Sequence, residues 1–94
     1  MIKKLDESDI HARLRDLPGW SLQQGKLTRE FHFANFVDAF GFMTRAAMVA
    51  EKSNHHPEWF NVYNKVKVQL TTREVKGISE RDFALAATMD ELAP

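Results

Sequence analysis

Residues 66–71 constrain the fold most, because their apolar and polar side chains alternate strictly. Val66, Val68 and Leu70 share one parity, and polar side chains occupy the positions between and after them. Successive side chains of a β-strand point to opposite faces, so this alternation predicts a strand with one buried face and one solvated face. The chain must therefore build a sheet that is covered on one side.

Two hairpins are predicted around this strand. Residues 59–72 are rich in aromatic and β-branched side chains and divide into two strands near Asn64. An earlier hairpin combines a short strand at 20–23 with a longer one at 27–33, and Gly25 lies in the turn between them. The sheet is therefore expected to contain four strands.

Two shorter helices are predicted near the ends of the chain. Asp6 or Ser8 can cap a first helix that runs to about residue 17, where a Pro-Gly pair ends it. Ser79 begins a last helix that runs to about residue 92. Ser79 and Asp82 have the spacing of a capping box, with Asp in place of the usual Glu.

The longest helix is predicted over residues 36–53, with Asn35 as its N-cap. Apolar side chains at helical spacing predict the stripe that faces the core: Phe36, Phe40, Met43, Ala47 and Ala50. Four more apolar residues widen that stripe: Val37, Phe42, Met48 and Val49. The apolar arc then exceeds the roughly 100° of an ordinary surface helix. We therefore expect this helix to be covered both by the core and by a subunit contact.

The resulting order α-β-β-α-β-β-α predicts an α+β fold, a four-stranded antiparallel sheet with helices packed on one face. A length of 94 residues predicts one domain over 1–94. A bare sheet face and a free edge strand favour assembly into a homodimer or homotetramer.

Composition excludes several classes of function. Thirteen basic and thirteen acidic residues cancel, so no net charge attracts nucleic acid or an anionic membrane. The lack of cysteine excludes disulfides and thiolate nucleophiles. No Gly-rich phosphate loop or nucleophile elbow is present. Because neither a secretory leader nor a bilayer-length apolar segment is found, we expect a cytoplasmic protein.

The adjacent residues His55 and His56 are the strongest candidates for chemistry. Histidine titrates nearest neutrality, so two of them at a helix–strand junction can supply both an acid and a base. Pro57 restricts His56 to extended backbone angles. Glu51, one helical turn before His55, can orient an imidazole or a substrate amine. From spacing alone, a solvated and functionally silent pair is the alternative.

Other residues near the pair add less. A metal site is disfavoured because no third His, Cys or carboxylate cluster completes a ligand set. Trp59 and Tyr63 can supply flat apolar walls near the imidazoles, although a scaffold role explains them more simply. His11 and His32 are interpreted as surface residues.

Over residues 19–92 the sequence resembles the pterin-4a-carbinolamine dehydratase family, whose second role in animals is as dimerisation cofactor of a homeodomain transcription factor. The resemblance is carried by the segments AFGFMTR at 39–45, AEK at 50–52, HHPEWFNVYNKV at 55–66, LTT at 70–72 and GISERD at 77–82.

This resemblance implies dehydration of 4a-hydroxytetrahydrobiopterin to quinonoid dihydropterin during tetrahydrobiopterin recycling. It also implies that no metal and no cofactor beyond the pterin substrate is needed, and that dimers whose sheets join assemble into tetramers. The family's catalytic residues fall on Glu51, His55 and His56. Its late aspartate falls on Asp82, which, like Trp59, is expected to bind substrate.

The resemblance fails at Arg73, where the family usually has a third histidine before the glycine loop. An arginine does not deprotonate near neutrality, so it cannot exchange protons as that histidine would. It can still hydrogen-bond the pterin carbonyl or the departing hydroxyl, and we expect Arg73 to bind substrate. Arg73 also favours the alternative, a non-catalytic dimerisation or regulatory module that retains the fold.

Overall fold

Two β-hairpins and three α-helices alternate along the chain in the predicted order. A computed structural model describes all 94 residues. The helices are α1 (Glu7–Leu14), α2 (Phe36–Ser53) and α3 (Glu80–Leu92). The strands are β1 (Ser21–Gln23), β2 (Lys26–His32), β3 (Glu58–Val62) and β4 (Lys65–Leu70), and a 3-10 turn follows at Arg73–Val75. All neighbouring strands are antiparallel in the order β1-β2-β4-β3, which confirms the predicted α+β fold.

Strand β4 lies at the centre of the sheet between β2 and β3. Val66, Val68 and Leu70 are completely buried, whereas Lys67 on the opposite face is exposed, as the alternation predicts. All three helices, β2 and β4 contribute to one cluster of 17 buried residues. The helices therefore cover one face of the sheet and leave the other bare.

Helix α1 is shorter than predicted. Asp6 caps it by accepting a hydrogen bond of 2.8 Å from the Asp9 amide. The helix ends at Leu14 rather than at residue 17, and the Leu17 amide closes a tighter turn onto the Leu14 carbonyl at 3.0 Å. Pro18 keeps Leu17 out of the helix, because the residue before a proline is disfavoured in the helical region.

Helix α2 has the predicted bounds and the predicted cap, but a different face of it meets the core. The Asn35 side chain accepts a hydrogen bond from the Asp38 amide at 2.8 Å. The buried positions are Ala39, Phe42, Ala46 and Ala50. The prediction that Phe36, Phe40 and Ala47 face the core is wrong, because all three are exposed. Periodicity could not select the face, since apolar residues surround most of this helix.

Four large apolar side chains of α2 are left exposed, and we call them the outer α2 face: Phe36, Val37, Phe40 and Met48. Their exposed fractions run from 48% to 76%. The Phe36 and Phe40 rings contact each other edge to face, with centroids 5.7 Å apart. No helix of the chain is both long enough and apolar enough to cross a membrane.

Candidate active site

The junction between α2 and β3 turns the two histidines in different directions. Asn54 ends α2 in the left-handed conformation, with φ 52° and ψ 44°. The next amide, that of His55, bonds back to the Ala50 carbonyl at 3.0 Å. Such a C-terminal motif satisfies the last carbonyls of a helix and reverses the chain. His55 is therefore buried, whereas His56 is exposed.

His55 is held by a carboxylate from the other end of the chain. The residue is only 7% exposed, and its Nε2 lies 2.7 Å from Oδ1 of Asp82. A carboxylate can only accept, so His55 donates from Nε2. Nδ1 has no hydrogen-bond partner in the protein. Every fully buried polar side-chain atom of the protein does have a partner, so Nδ1 is not fully buried. Nδ1, with its lone pair, is therefore the ring nitrogen that reaches solvent.

Asp82 is completely buried in the first turn of α3. Its Oδ2 accepts hydrogen bonds from the Thr72 hydroxyl at 2.6 Å and from the Ser79 amide at 3.0 Å. The second contact completes the predicted capping box. Asp82 presents no exposed atom to a ligand, so the structure places it behind His55 rather than in the cleft where substrate binding was expected.

His56 contacts a second carboxylate at the surface. Its Nε2 lies 2.9 Å from Oε1 of Glu51, and both side chains are more than half exposed. Glu51 was expected to orient an imidazole or a substrate amine, and in the structure it contacts the imidazole of His56. The two imidazoles thus differ in their surroundings. The contact of His55 with Asp82 is buried, whereas the contact of His56 with Glu51 is exposed to solvent.

Both histidines line an open cleft of about 360 Å³. Its walls are made by Asn54, His55, His56, Pro57, Glu58, Thr71, Arg73 and Glu74. The wall carries no large apolar side chain, so a ligand there meets mainly hydrogen-bonding groups. A larger cleft of about 460 Å³ lies between α2 and the C-terminus, but it contains neither histidine.

Arg73 brings an uncompensated positive charge to this cleft. The two carboxylates of the wall are engaged elsewhere: Glu58 with Lys26 at 2.7 Å, and Glu74 with Arg81 at 3.5 Å. Arg73 itself takes part in no ion pair, and its side chain is exposed at the start of the 3-10 turn. Its guanidinium is therefore free to bind a ligand oxygen.

The aromatic residues considered as walls lie outside the cleft. Trp59 is half-buried and packs against the hydrophobic core, so the structure favours its scaffold role over substrate binding. Tyr63 lies in the turn after β3, at the opposite end of that strand from the histidines. At roughly 3.3 Å per residue, β3 separates them by more than 15 Å.

Sequence reasoning did not find Thr72. Its hydroxyl is fully buried and contacts both Asp82 and Ser79, yet a threonine just after a strand is ordinary composition for a β-sheet protein. The only local signal was the Ser79–Asp82 spacing. No three His, Cys, Asp or Glu side chains come together in a way that could hold a metal ion.

Comparison with known proteins identifies the family of the chain. The family model described as Pterin 4 alpha carbinolamine dehydratase matches residues 3–92. A protein of Solibacter usitatus assigned as a pterin-4-alpha-carbinolamine dehydratase is 55% identical over 93 residues, covering 99% of this chain and 98% of its own. A Prochlorococcus marinus protein with the same assignment is 55% identical over 90 residues, covering 96% of this chain and 94% of its own. The crystal structure of a transcriptional coactivator/pterin dehydratase from Brucella melitensis matches with a TM-score of 0.94 and 46% identity, over 98% of this chain and 100% of that one.

Proposed function

Because the chain belongs to the pterin-4a-carbinolamine dehydratase family, we propose that it removes water from 4a-hydroxytetrahydrobiopterin in tetrahydrobiopterin recycling, with His55 and His56 as the acid–base pair. The observation that carries the assignment of roles is the buried contact of 2.7 Å between His55 and Asp82. The substrate binds in the cleft that both histidines line.

The reaction needs two proton transfers and no redox partner. One group takes the proton from a ring nitrogen, and the electron pair left there forms the new double bond to C4a. The bond between C4a and the hydroxyl oxygen breaks as a second group protonates that oxygen, and water leaves. A positioned acid or base typically contributes roughly 10²–10⁴-fold to such a step.

His55 acts as the base. Its Nε2–H is committed to Asp82, so the lone pair on Nδ1 is available for the ring-nitrogen proton. When Nδ1 takes that proton, the ring becomes a cation beside a buried carboxylate that compensates the new charge. The same division of labour operates in triads in which an aspartate holds a histidine base.

His56 acts as the acid. The Glu51 carboxylate holds its Nε2–H at 2.9 Å, which leaves Nδ1 as the nitrogen that donates to the departing hydroxyl. Exposure of this pair allows His56 to regain a proton from solvent after each turnover. Arg73 binds the pterin carbonyl or the leaving oxygen, because its guanidinium is free and lines the same cleft.

Single His55→Ala and His56→Ala variants test the proposal. The assay follows the loss of 4a-hydroxytetrahydropterin with purified protein, and each substitution is expected to lower kcat by roughly a hundredfold. His32→Ala is the matched control, because His32 also contacts an exposed carboxylate, Glu30, at 3.1 Å but lies away from the cleft. If wild type and both cleft variants match the uncatalysed rate, the protein is not acting as this enzyme.

We also propose that the chain self-associates, as a homodimer or homotetramer. The outer α2 face and the bare face of the sheet, with the exposed Phe60 and Val62 of β3, support this assembly. A role as a dimerisation or regulatory module is the second candidate function. It is favoured by the same apolar surface and by the similarity to the Brucella melitensis protein, which is described as a transcriptional coactivator as well as a pterin dehydratase.

A further inference from the structure

We propose that Thr72 is a positioning residue for the dehydration, which fixes the tautomer and orientation of His55 through Asp82. This inference rests on the proposed function. Thr72 is completely buried and so touches no substrate. Its hydroxyl oxygen lies 2.6 Å from Asp82 Oδ2 and 2.6 Å from Ser79 Oγ. Any influence of this hydroxyl on the reaction must therefore pass through its two partners.

The direction of each hydrogen bond follows from the donors available. Thr72 has a single hydroxyl proton, and the carboxylate of Asp82 has none to offer, so Thr72 donates to Asp82. The Ser79 hydroxyl then donates to Thr72 Oγ1, while Ser79 Oγ accepts from the Arg81 amide at 3.2 Å. In this series of hydrogen bonds, each hydroxyl therefore donates in the direction of Asp82.

The two oxygens of Asp82 consequently have separate tasks. Oδ2 is occupied by the Thr72 hydroxyl and the Ser79 amide, whereas Oδ1 receives only His55 Nε2. With Oδ2 held by two donors, the carboxylate cannot rotate about its own bond without losing contacts in a dry interior, where such losses are expensive. Oδ1 therefore stays aimed at Nε2, and the proton of neutral His55 stays on Nε2.

Backbone hydrogen bonds also hold Thr72 in place. Its amide donates to the Gly77 carbonyl at 2.7 Å, and the Gly77 amide donates back to the Thr72 carbonyl at 3.3 Å. This bridge closes the loop that carries Arg73. This short segment thus places the exposed Arg73 at the cleft and the buried Thr72 hydroxyl against Asp82, which supports the base His55.

The test is Thr72→Val, which removes the hydroxyl and keeps the shape. We expect kcat to fall roughly tenfold while KM changes little, because the lost bond supports a charged group that substrate never contacts. Nitrogen-15 NMR of the ligand-free protein is expected to show His55 as the Nε2–H tautomer in the wild type and as a mixture in the variant. Thr72→Ser, which retains the hydroxyl, is expected to restore most of both properties.

Thr44→Val is the matched control, because the exposed Thr44 hydroxyl bonds only to the Phe40 carbonyl of its own helix, at 2.9 Å, and lines no cleft with His55. A lower kcat with an unchanged tautomer, or a mixed tautomer with an unchanged kcat, would overturn the proposal. So would a wild-type His55 that carries its proton on Nδ1, a result that requires no variant to fold. Since the NMR readout needs no pterin, an inactive wild type would refute the proposed function while leaving the hydrogen-bond chain open to test.

Discussion

At the scale of single residues, two neighbouring histidines with the same chemistry occupy different environments. His55 is buried against Asp82, and His56 is exposed beside Glu51. A carboxylate in the dry interior holds its partner in one orientation, whereas a solvated pair exchanges readily with water. The proposed division into base and acid depends on this difference.

The Asp82→Asn variant tests whether the Asp82 carboxylate supports His55 as the base or only packs in the interior. The amide presents hydrogen-bond donors where His55, Thr72 and Ser79 already donate. We expect kcat to fall by about a hundredfold or more. Urea unfolding should show a loss of about 2 kcal/mol, because a buried donor loses its partner.

The control for this variant is Asp90→Asn. Asp90 also accepts two hydrogen bonds, from the Trp20 indole at 2.8 Å and from Arg29 at 2.6 Å, but it lies away from the cleft. The Asp90→Asn variant should have a lower free energy of unfolding and an unchanged kcat. A normal kcat in Asp82→Asn would contradict the support of His55 by Asp82.

A histidine at position 73 is expected to raise turnover. The guanidinium of Arg73 can bind an oxygen but cannot exchange a proton near neutral pH. Arg73→His adds a third acid–base group at the cleft, and we expect kcat to rise by roughly tenfold. Arg15→His, at an exposed site after α1, serves as the control. Equal turnover in wild type and Arg73→His would show that two histidines already suffice.

At the scale of elements, the C-terminus of α2 decides where the histidines point. Asn54 adopts the left-handed conformation that glycine and asparagine tolerate best. The next residue can therefore turn back into the core, while the one after it stays at the surface. The cap of one helix thus creates the two environments described above.

Substituting Asn54 with valine should damage both stability and activity. A β-branched residue in this conformation is expected to cost about 1–2 kcal/mol in the free energy of unfolding. We also expect a severalfold lower kcat, because His55 depends on the same reversal, whereas Asn54→Gly should keep both properties.

Gln24→Val is the matched control for Asn54→Val. Gln24 has nearly the same φ, 53°, in the β1–β2 turn. The Gln24→Val variant should therefore have a lower free energy of unfolding but an unchanged kcat. If Asn54→Val is as active as Gln24→Val, the cap has no influence on the site.

At the scale of the whole molecule, the outer α2 face is an apolar surface that the chain leaves uncovered. Sedimentation of the wild type is expected to show a dimer or a tetramer. Phe40→Lys places a charge beside Phe36 at a half-exposed position, so it should lower the mass of the assembly without unfolding the chain. Ala12→Lys on α1 is the control. A monomeric wild type would refute self-association through this face.

The fold was largely predictable because its signals are local. Caps such as Asn35 and Ser79, the turn at Gly25 and the strand alternation each act within a few residues. The prediction of which α2 face meets the core was wrong because that face is set by non-local contacts. It depends on how the two hairpins pair through β2 and β4. The same distinction applies to the site, since the histidine pair is a local motif but the contact of His55 with Asp82 spans 27 residues.

Thr72 and Arg73 are consecutive residues, yet one side chain is buried and the other is exposed. Thr72 has extended backbone angles, with φ −108° and ψ 104°, and neighbours along an extended backbone face opposite ways. A substitution at position 73 is therefore expected to change the group that the cleft presents to a ligand and to leave the contacts of Thr72, Asp82 and His55 in place. The surface chemistry of the cleft can thus be varied at one position without rebuilding the interior behind it.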